Sequence, residues 1–147
     1  MEWKLELVPI PVSDVDHAKA FYTEKMGFEE DLDHSTGEAF RVVQLTPPGS
    51  ACSVAIGPGI VDTSPGSVQG LELVVPDIDA ARVGLLERGS EVSEVQHFDG
   101  SAWRPGGGGD WNSFAFFSDL KRSRRQRLGL AAGARSWLGH REEDEHG

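Results

Sequence analysis

The sequence has little cysteine and no long apolar run. Its single Cys52 excludes an internal disulfide, and no apolar stretch approaches the roughly 20 residues that a membrane helix requires. One cysteine and the lack of a secretory signal pattern predict a reducing, cytoplasmic location and no membrane partner. A chain of 147 residues fits one domain that buries roughly two thirds of its unfolded surface, so it needs neither a disulfide nor a metal to fold.

Basic residues are also scarce over most of the chain. Residues 1–119 hold seven Lys or Arg against 20 Asp or Glu, whereas residues 120–141 hold seven Lys or Arg and no acid, and residues 142–147 hold four acids. An acidic body repels phosphate backbones, which argues against nucleic acid as a partner. Neutral or cationic small molecules are easier for it to accommodate.

An internal repeat is present, with an offset of 63 positions. Val-Ser-Asp-Val-Asp-His-Ala-Lys-Ala (12–20) is similar to Val-Pro-Asp-Ile-Asp-Ala-Ala-Arg-Val (75–83). Each copy predicts an apolar strand (5–12 and 71–75) and then a helix. Ser13 or Asp14 can cap the first helix and Asp77 the second, because their side-chain oxygens accept from free N–H groups of the first turn. Gly27 and Gly89 are the predicted helix stops.

Further strands are predicted after each helix, at 28–32, 39–46, 51–56, 91–98 and 113–118. The order βαβββ, twice, predicts an α+β fold with mixed sheets. The predicted domain spans 1–119, with modules at about 3–57 and 69–119 joined by a Gly/Pro-rich linker. Residues 120–147 are predicted to form a divergent tail, first basic and then acidic.

Three segments resemble the vicinal oxygen chelate superfamily, which comprises the glyoxalases, bleomycin resistance proteins and dioxygenases. Pro-Val-Ser-Asp-Val-Asp-His-Ala-Lys-Ala-Phe-Tyr-Thr-Glu-Lys-Met-Gly-Phe (11–28) resembles the family's opening strand and helix. Val-Val-Pro-Asp-Ile-Asp-Ala-Ala-Arg (74–82) and Phe-Ala-Phe-Phe-Ser-Asp (114–119) resemble later parts of it. The resemblance implies two βαβββ modules whose sheets curl around a cupped pocket, and a homodimer.

In metal-using members of that family, four side chains hold a divalent cation that acts as a Lewis acid. The matching positions here fall at Leu7, Gln44 and Gly70, with the fourth near Gly129. Only Gln44 could be a ligand, and one amide oxygen cannot hold a catalytic metal. The resemblance therefore predicts no metal and no cofactor.

Strand alternation predicts a pocket wall. If Leu7 and Gln44 face the pocket, then Phe40 and Val42 should face it too. In the second module Glu72 would place an acid among apolar groups, suited to a cation, or it would simply lie exposed on the strand.

A run of four glycines, 106–109, lies between Trp103 and Trp111. It lacks the Lys-Ser/Thr of a phosphate-binding loop. The two indoles could belong to a mobile lid over a ligand. The alternative is that they pack on the body as rim aromatics.

The family pattern stops after Asp119, where its members commonly continue Pro-Asp-Gly-Asn into a last strand. Residues 120–127 hold five Lys or Arg, so the last strand is predicted to be degenerate or missing. The segment could be a basic arm, a solvated tail or the product of a shifted reading frame. Reading one nucleotide later can give Pro-Asp-Gly-Asn-Gly-Trp from the codons of 123–129.

These features favour a metal-free protein that binds a small cationic or aromatic molecule. The predicted ligand-binding residues are Leu7, Phe40, Val42, Gln44, Glu72, Trp103 and Trp111. The alternative is a metal-dependent lyase, isomerase or dioxygenase of the same superfamily. A third possibility is that the altered C-terminus has abolished function.

Overall fold

The computed structural model describes residues 1–68, 71–109, 112–118 and 127–132. The chain divides into two compact units, Met1–Gln69 and Gly70–Gly147. The first contains, in order, β1 (Leu7–Pro9), α1 (Val15–Ala20), β2 (Glu29–Thr36), β3 (Phe40–Thr46) and β4 (Ser53–Ile56). The second contains β5 (Glu72–Val75), α2 (Ile78–Glu87), β6 (Glu91–Val92), β7 (Gln96–Phe98), β8 (Trp103–Pro105), β9 (Phe114–Ser118) and β10 (Arg127–Ala132).

The first unit is a four-stranded mixed sheet in the order β1-β4-β3-β2. β1 and β4 are parallel, and the other neighbours are antiparallel. Apolar side chains on one face of this sheet pack against the helical segment, which continues beyond α1 as a π-helical turn, Phe21–Lys25. The most deeply buried of the large core side chains are Ile10, Val43, Leu45 and Ile56.

The second unit repeats this topology. Its sheet runs β5-β10-β9-β7-β8, and β6 also pairs with β9. Because β6 and β7 are both antiparallel to β9, the single strand predicted at 91–98 is one interrupted strand. The order β5-β10-β9-β6/β7 then corresponds to β1-β4-β3-β2, with β8 added at the edge. The predicted α+β fold with mixed sheets and a repeated module is confirmed.

The helix caps repeat as closely as the strands do. Asp14 and Asp77 have nearly identical backbone angles, φ −138° with ψ 104° and 103°. Each carboxylate accepts the backbone N–H three residues later, from His17 at 3.0 Å and from Ala80 at 3.1 Å. Gly27 and Gly89 take positive φ, 74° and 79°, as predicted for helix stops. Neither helix, and none elsewhere in the residues described, is long and apolar enough to cross a membrane.

The last strand is not missing, and this expectation from the sequence was wrong. β10 pairs in parallel with β5 and antiparallel with β9, so it occupies the position that β4 has in the first unit. The loss of this strand would have left 113–118 as an open sheet edge, but β9 has neighbours on both sides. The strand begins at Arg127, beyond most of the basic run that suggested its loss. Residues 120–126 and 133–147 of the predicted tail lie outside the described residues.

Candidate functional site

Four of the predicted ligand-binding residues share one face of the first sheet. Gln44 lies opposite Ala55, two residues from Ser53, which pairs with Leu7. Phe40 and Val42 precede Gln44 on the same strand at alternate positions. This is the face away from α1, because Val43 and Leu45, at the intervening positions, are completely buried. Strand alternation correctly predicted that Phe40 and Val42 share the face of Gln44, and the resemblance placed Leu7 there with them.

Polar groups on this helix-free face of the first sheet bind one another. The amide Nε2 of Gln44 donates to Ser53 Oγ at 3.2 Å. The hydroxyls of Ser53 and Thr46 are 2.7 Å apart, and Thr46 also donates to the carboxylate of Asp31. Gln44 thus belongs to a row of polar side chains that form hydrogen bonds with one another. Phe40, by contrast, is 42% exposed and could contact a ligand.

On the helix side, five charged side chains tie the β2–β3 hairpin to α1. Arg41 donates to both carboxylate oxygens of Asp33 at 2.9 and 2.8 Å and to Asp16 at 2.7 Å. Lys19 donates to the same Asp33 at 2.8 Å and also contacts Glu30. Donation from Arg41, and then from Lys19, holds the pKa of Asp33 well below its ordinary value. The network holds Asp33 and Arg41 on the helix side of the sheet. Because alternate residues point to opposite faces, it thereby helps to hold their neighbours in the strands on the helix-free face.

In the second unit, Trp103 lies in a strand and not in a mobile loop, which corrects that expectation. It begins β8 and lies opposite Phe98 of β7. Gln96, two residues before Phe98, pairs with Phe114 of β9. By alternation, Phe98, Trp103, Phe114 and Phe116 share one face of the second sheet. The opposite face carries the buried Ala115 and Phe117, which are 0% and 2% exposed.

These four aromatic residues, Phe98, Trp103, Phe114 and Phe116, form what we call the aromatic ledge. The centroid of the Trp103 ring is 5.6 Å from those of Phe114 and Phe116, both in edge-to-face geometry, and 5.7 Å from that of Phe98. Such spacings are favourable for aromatic pairs. Phe98 and Trp103 nevertheless remain 44% and 48% exposed. The ledge is therefore ordered by its own contacts and still presents ring surface to a ligand.

The turn between β7 and β8 is held by one carboxylate. Asp99 accepts from the backbone N–H groups of Ser101 and Ala102, both at 2.8 Å, and from Arg104 Nε at 2.7 Å. These donors, Arg104 first, hold the pKa of Asp99 well below its ordinary value. The hairpin that carries Trp103 is consequently pinned at its tip.

Carboxylates flank the ledge on the same face. Gly129 of β10 pairs with both Glu72 and Phe116, so Glu72 lies two strands, about 10 Å, from Phe116. Glycine has no side chain to fill the space between them. Glu91 pairs with Ser118, two residues from Phe116. Glu72 and Glu91 are both exposed, and neither forms an ion pair with another described residue.

The positions that correspond to the family's metal ligands do not fit a metal. Leu7 and Gly129 have no side-chain donor atom, so the amide oxygen of Gln44 would be the single ligand among these three positions. Gly70 lies outside the described residues. Within those residues no group of three His, Cys, Asp or Glu side chains is placed to hold a metal ion.

The glycine run, 106–109, follows the β7–β8 hairpin that carries Trp103 and is hydrogen-bonded to it. Gly106 donates to the carbonyl of Val95 at 2.9 Å, and its own carbonyl lies 2.8 Å from His97 Nδ1. A Cβ on Gly108 would come within 2.6 Å of the backbone oxygen of Asn112, so that position requires glycine. Trp111 lies outside the described residues, and its part in the site stays a prediction.

Trp103 and Glu72 are among the ligand-binding residues predicted from the sequence, but the phenylalanines beside them are not. The pattern at 113–118 predicts a strand that contains Phe114 and Phe116, but it does not by itself place them in a site. The sequence does contain a pattern that indicates them, because the alternation of Phe114 and Phe116 with Ala115 puts two rings on one face of the strand. Phe98 could not be placed without knowing that β8 folds back on β7.

Comparison with known proteins gives several similar structures. TnmS3, an antibiotic binding protein from Streptomyces sp. CB03234, is 30% identical, with a TM-score of 0.68 over 90% of this chain and 98% of that one. A glyoxalase/bleomycin resistance protein from the same organism is 31% identical, with a TM-score of 0.64 over 87% and 99%. A Sphaerobacter thermophilus DSM 20745 member of the glyoxalase/bleomycin resistance protein/dioxygenase superfamily is 25% identical, with a TM-score of 0.64 over 89% and 98%. No family model and no curated protein matches the chain.

Proposed function

Because this chain belongs to the glyoxalase/bleomycin resistance protein/dioxygenase superfamily, we propose that it is a metal-free protein that binds a planar, cationic aromatic molecule. The observation that carries the proposal is the aromatic ledge. Trp103 is fixed by three phenylalanine rings and yet is half exposed. A flat ligand ring could replace water on that surface without disturbing the sheet beneath it.

Charge argues for a cationic ligand. Glu72 and Glu91 lie on the face of the ledge, and the chain as a whole carries a net charge of −10. A cation over an aromatic ring is attracted by the ring's negative face, by roughly 0.5–1 kcal/mol where the site is exposed. The negative charge and the aromatic rings both lower the free energy of a bound cation relative to that of an anion of the same shape. TnmS3, with which the chain shares 30% identity, is described as antibiotic binding, which supports a binding role.

The helix-free face of the first sheet is proposed as a separate surface that contacts a small molecule. Leu7, Phe40, Val42 and Gln44 lie together there, and Phe40 offers exposed ring surface. From the resemblance alone we also propose a cytoplasmic homodimer. Light scattering at twice the mass of the chain would support that assembly.

A titration with matched planar compounds tests the proposal. Calorimetry would compare 9-aminoacridine, a cation, with neutral acridone and anionic anthracene-9-carboxylate. We expect saturable binding of 9-aminoacridine, weaker binding of acridone and none of the anion. Equal binding of all three would remove the charge argument, and no binding of any of them would overturn the proposed ligand class.

The Glu72→Gln variant tests the carboxylate separately from the rings. It should weaken 9-aminoacridine binding by about 2–5-fold, the range of an exposed ion pair, and leave acridone unaffected. Glu38→Gln is the matched control, because it removes the same charge from an exposed position in the first unit.

A further inference from the structure

A pocket of about 350 Å³ opens beside the aromatic ledge. Trp103, one of the four residues of the ledge, also lines the pocket. The pocket is also lined by Val95, Gln96 and Pro105, and Gln96 pairs with both Pro105 and Phe114. The pocket therefore continues directly from the ring surface on which a planar ligand would lie. Its volume is within the range typical of small-molecule sites.

The lining combines apolar walls with one available charge. Glu94 lines the pocket, and no ion pair involves its carboxylate in the part of the chain that the structure describes. Arg104 also lines it, but its Nε donates to Asp99 at 2.7 Å, so its charge is compensated. Among the described residues that line the pocket, the uncompensated charge is negative, which favours a cation over an anion.

We propose that this pocket binds a flexible, cationic alkylamine arm attached to the planar part of the ligand. The alkyl portion contacts Trp103, Val95 and Pro105, and the ammonium group lies near the Glu94 carboxylate. This inference rests on the proposed function, because the arm is positioned by the ring that lies on the ledge. It narrows the ligand class from flat cations to flat aromatics that carry a basic side chain.

Two probes with the same ring system separate the arm from the ring. Quinacrine carries a dialkylaminoalkyl arm, and 9-amino-6-chloro-2-methoxyacridine has the same substituted ring without it. Calorimetry on the full chain should give tighter binding for quinacrine. Glu94→Gln should weaken quinacrine by about 2–5-fold and leave the armless compound unchanged. Glu87→Gln, at an exposed position on α2, removes the same charge away from the pocket and should change neither.

A second variant tests the pocket without relying on charge. Gln96→Trp would fill the space beside Pro105, and circular dichroism and thermal melting would verify that it folds. It should abolish the advantage of quinacrine over the armless compound.

The outcomes distinguish the two proposals. If neither probe binds the unmodified protein, the proposed function fails. If the armless compound binds but quinacrine gains nothing, or Glu94→Gln leaves that gain intact, only the arm site is overturned. Tighter binding of an acridine with a carboxyalkyl arm would also overturn it, by showing that Arg104 governs the pocket.

Discussion

The side chain of Asn112 takes the place of a neighbouring strand for Phe98. Its Oδ1 accepts from the Phe98 N–H at 3.1 Å, and its Nδ2 donates to the Phe98 carbonyl at 2.9 Å. A primary amide can satisfy a peptide group in this way because it carries one acceptor and two donors. The contact holds the end of β7 at the point where the chain turns towards Trp103, so the ledge depends on a residue that is not part of it.

Asn112→Ala should therefore loosen the ledge. Two hydrogen bonds are lost, and we expect the free energy of unfolding to fall by about 1–2 kcal/mol. Binding of 9-aminoacridine should weaken as well, because the ring of Phe98 is no longer held. Urea denaturation and calorimetry measure the two effects. Unchanged stability together with unchanged affinity would mean that the Asn112–Phe98 contact does not position the ledge.

Trp103→Ala should weaken 9-aminoacridine binding by about 1–3 kcal/mol, since a stacked tryptophan is a frequent anchor of binding energy. Trp103→Phe should retain part of the affinity because a ring remains. Trp3→Ala is the matched control, since Trp3 is 87% exposed and precedes the first strand. A large loss of stability in Trp103→Ala with unaltered affinity would assign Trp103 a purely structural role.

Periodicity predicted the parts of this fold that depend on local sequence. The cap at Asp77 and the shared face of Phe40, Val42 and Gln44 follow from neighbouring residues, and the structure has them. Of the two candidates for the first cap, Ser13 and Asp14, the structure has Asp14. The resemblance, and not periodicity, placed Leu7 with Gln44. The hairpin at Trp103 does not follow from neighbouring residues, because its two strands pair only three residues each and its turn depends on the carboxylate of Asp99. β10 does not follow from composition for another reason. The basic residues of 120–127 disfavour a strand, whereas the strand begins only at Arg127.

Chelation should leave thermal stability unchanged. A metal that bound only the native state would stabilise it, but Leu7, Gln44 and Gly129 do not form a ligand set. Differential scanning calorimetry with and without EDTA measures the effect, and metal analysis of the untreated protein accompanies it. A fall of several degrees in Tm, or stoichiometric zinc, nickel, iron or manganese, would favour the metal-dependent lyase, isomerase or dioxygenase instead.

Asp33→Asn should remove an acid-sensitive contribution to stability. The pKa of Asp33 is lowered from 3.8, so the folded state favours the ionised carboxylate. That stabilisation is complete above about pH 4–5 and is lost as the pH falls through the folded-state pKa. We expect the variant to be less stable by roughly 1 kcal/mol at pH 7, since the ion pairs are partly exposed.

The pH dependence distinguishes this charge effect from a packing defect. The difference between Asp33→Asn and the unmodified protein should shrink as the pH is lowered from 5 to 2, measured by urea denaturation at each pH. Asp62→Asn is the control, because Asp62 is exposed and outside the network. A difference that stays constant with pH would contradict the assignment to Arg41 and Lys19.

Two truncations test whether β10 completes the second sheet. The strand pairs with β5 through Gly129–Ala132 and with β9 through Arg127–Ala131, so its removal would expose the paired backbone groups of both neighbours. A chain that ends at Ala132 keeps every one of these pairs and should retain cooperative unfolding and 9-aminoacridine binding. A chain that ends at Ser118 should lose both, because β5 is then separated from β9 and Glu72 from the ledge. If the shorter chain unfolded as cooperatively as the longer one and bound the probe equally well, residues 127–132 would not be part of the sheet that carries the site.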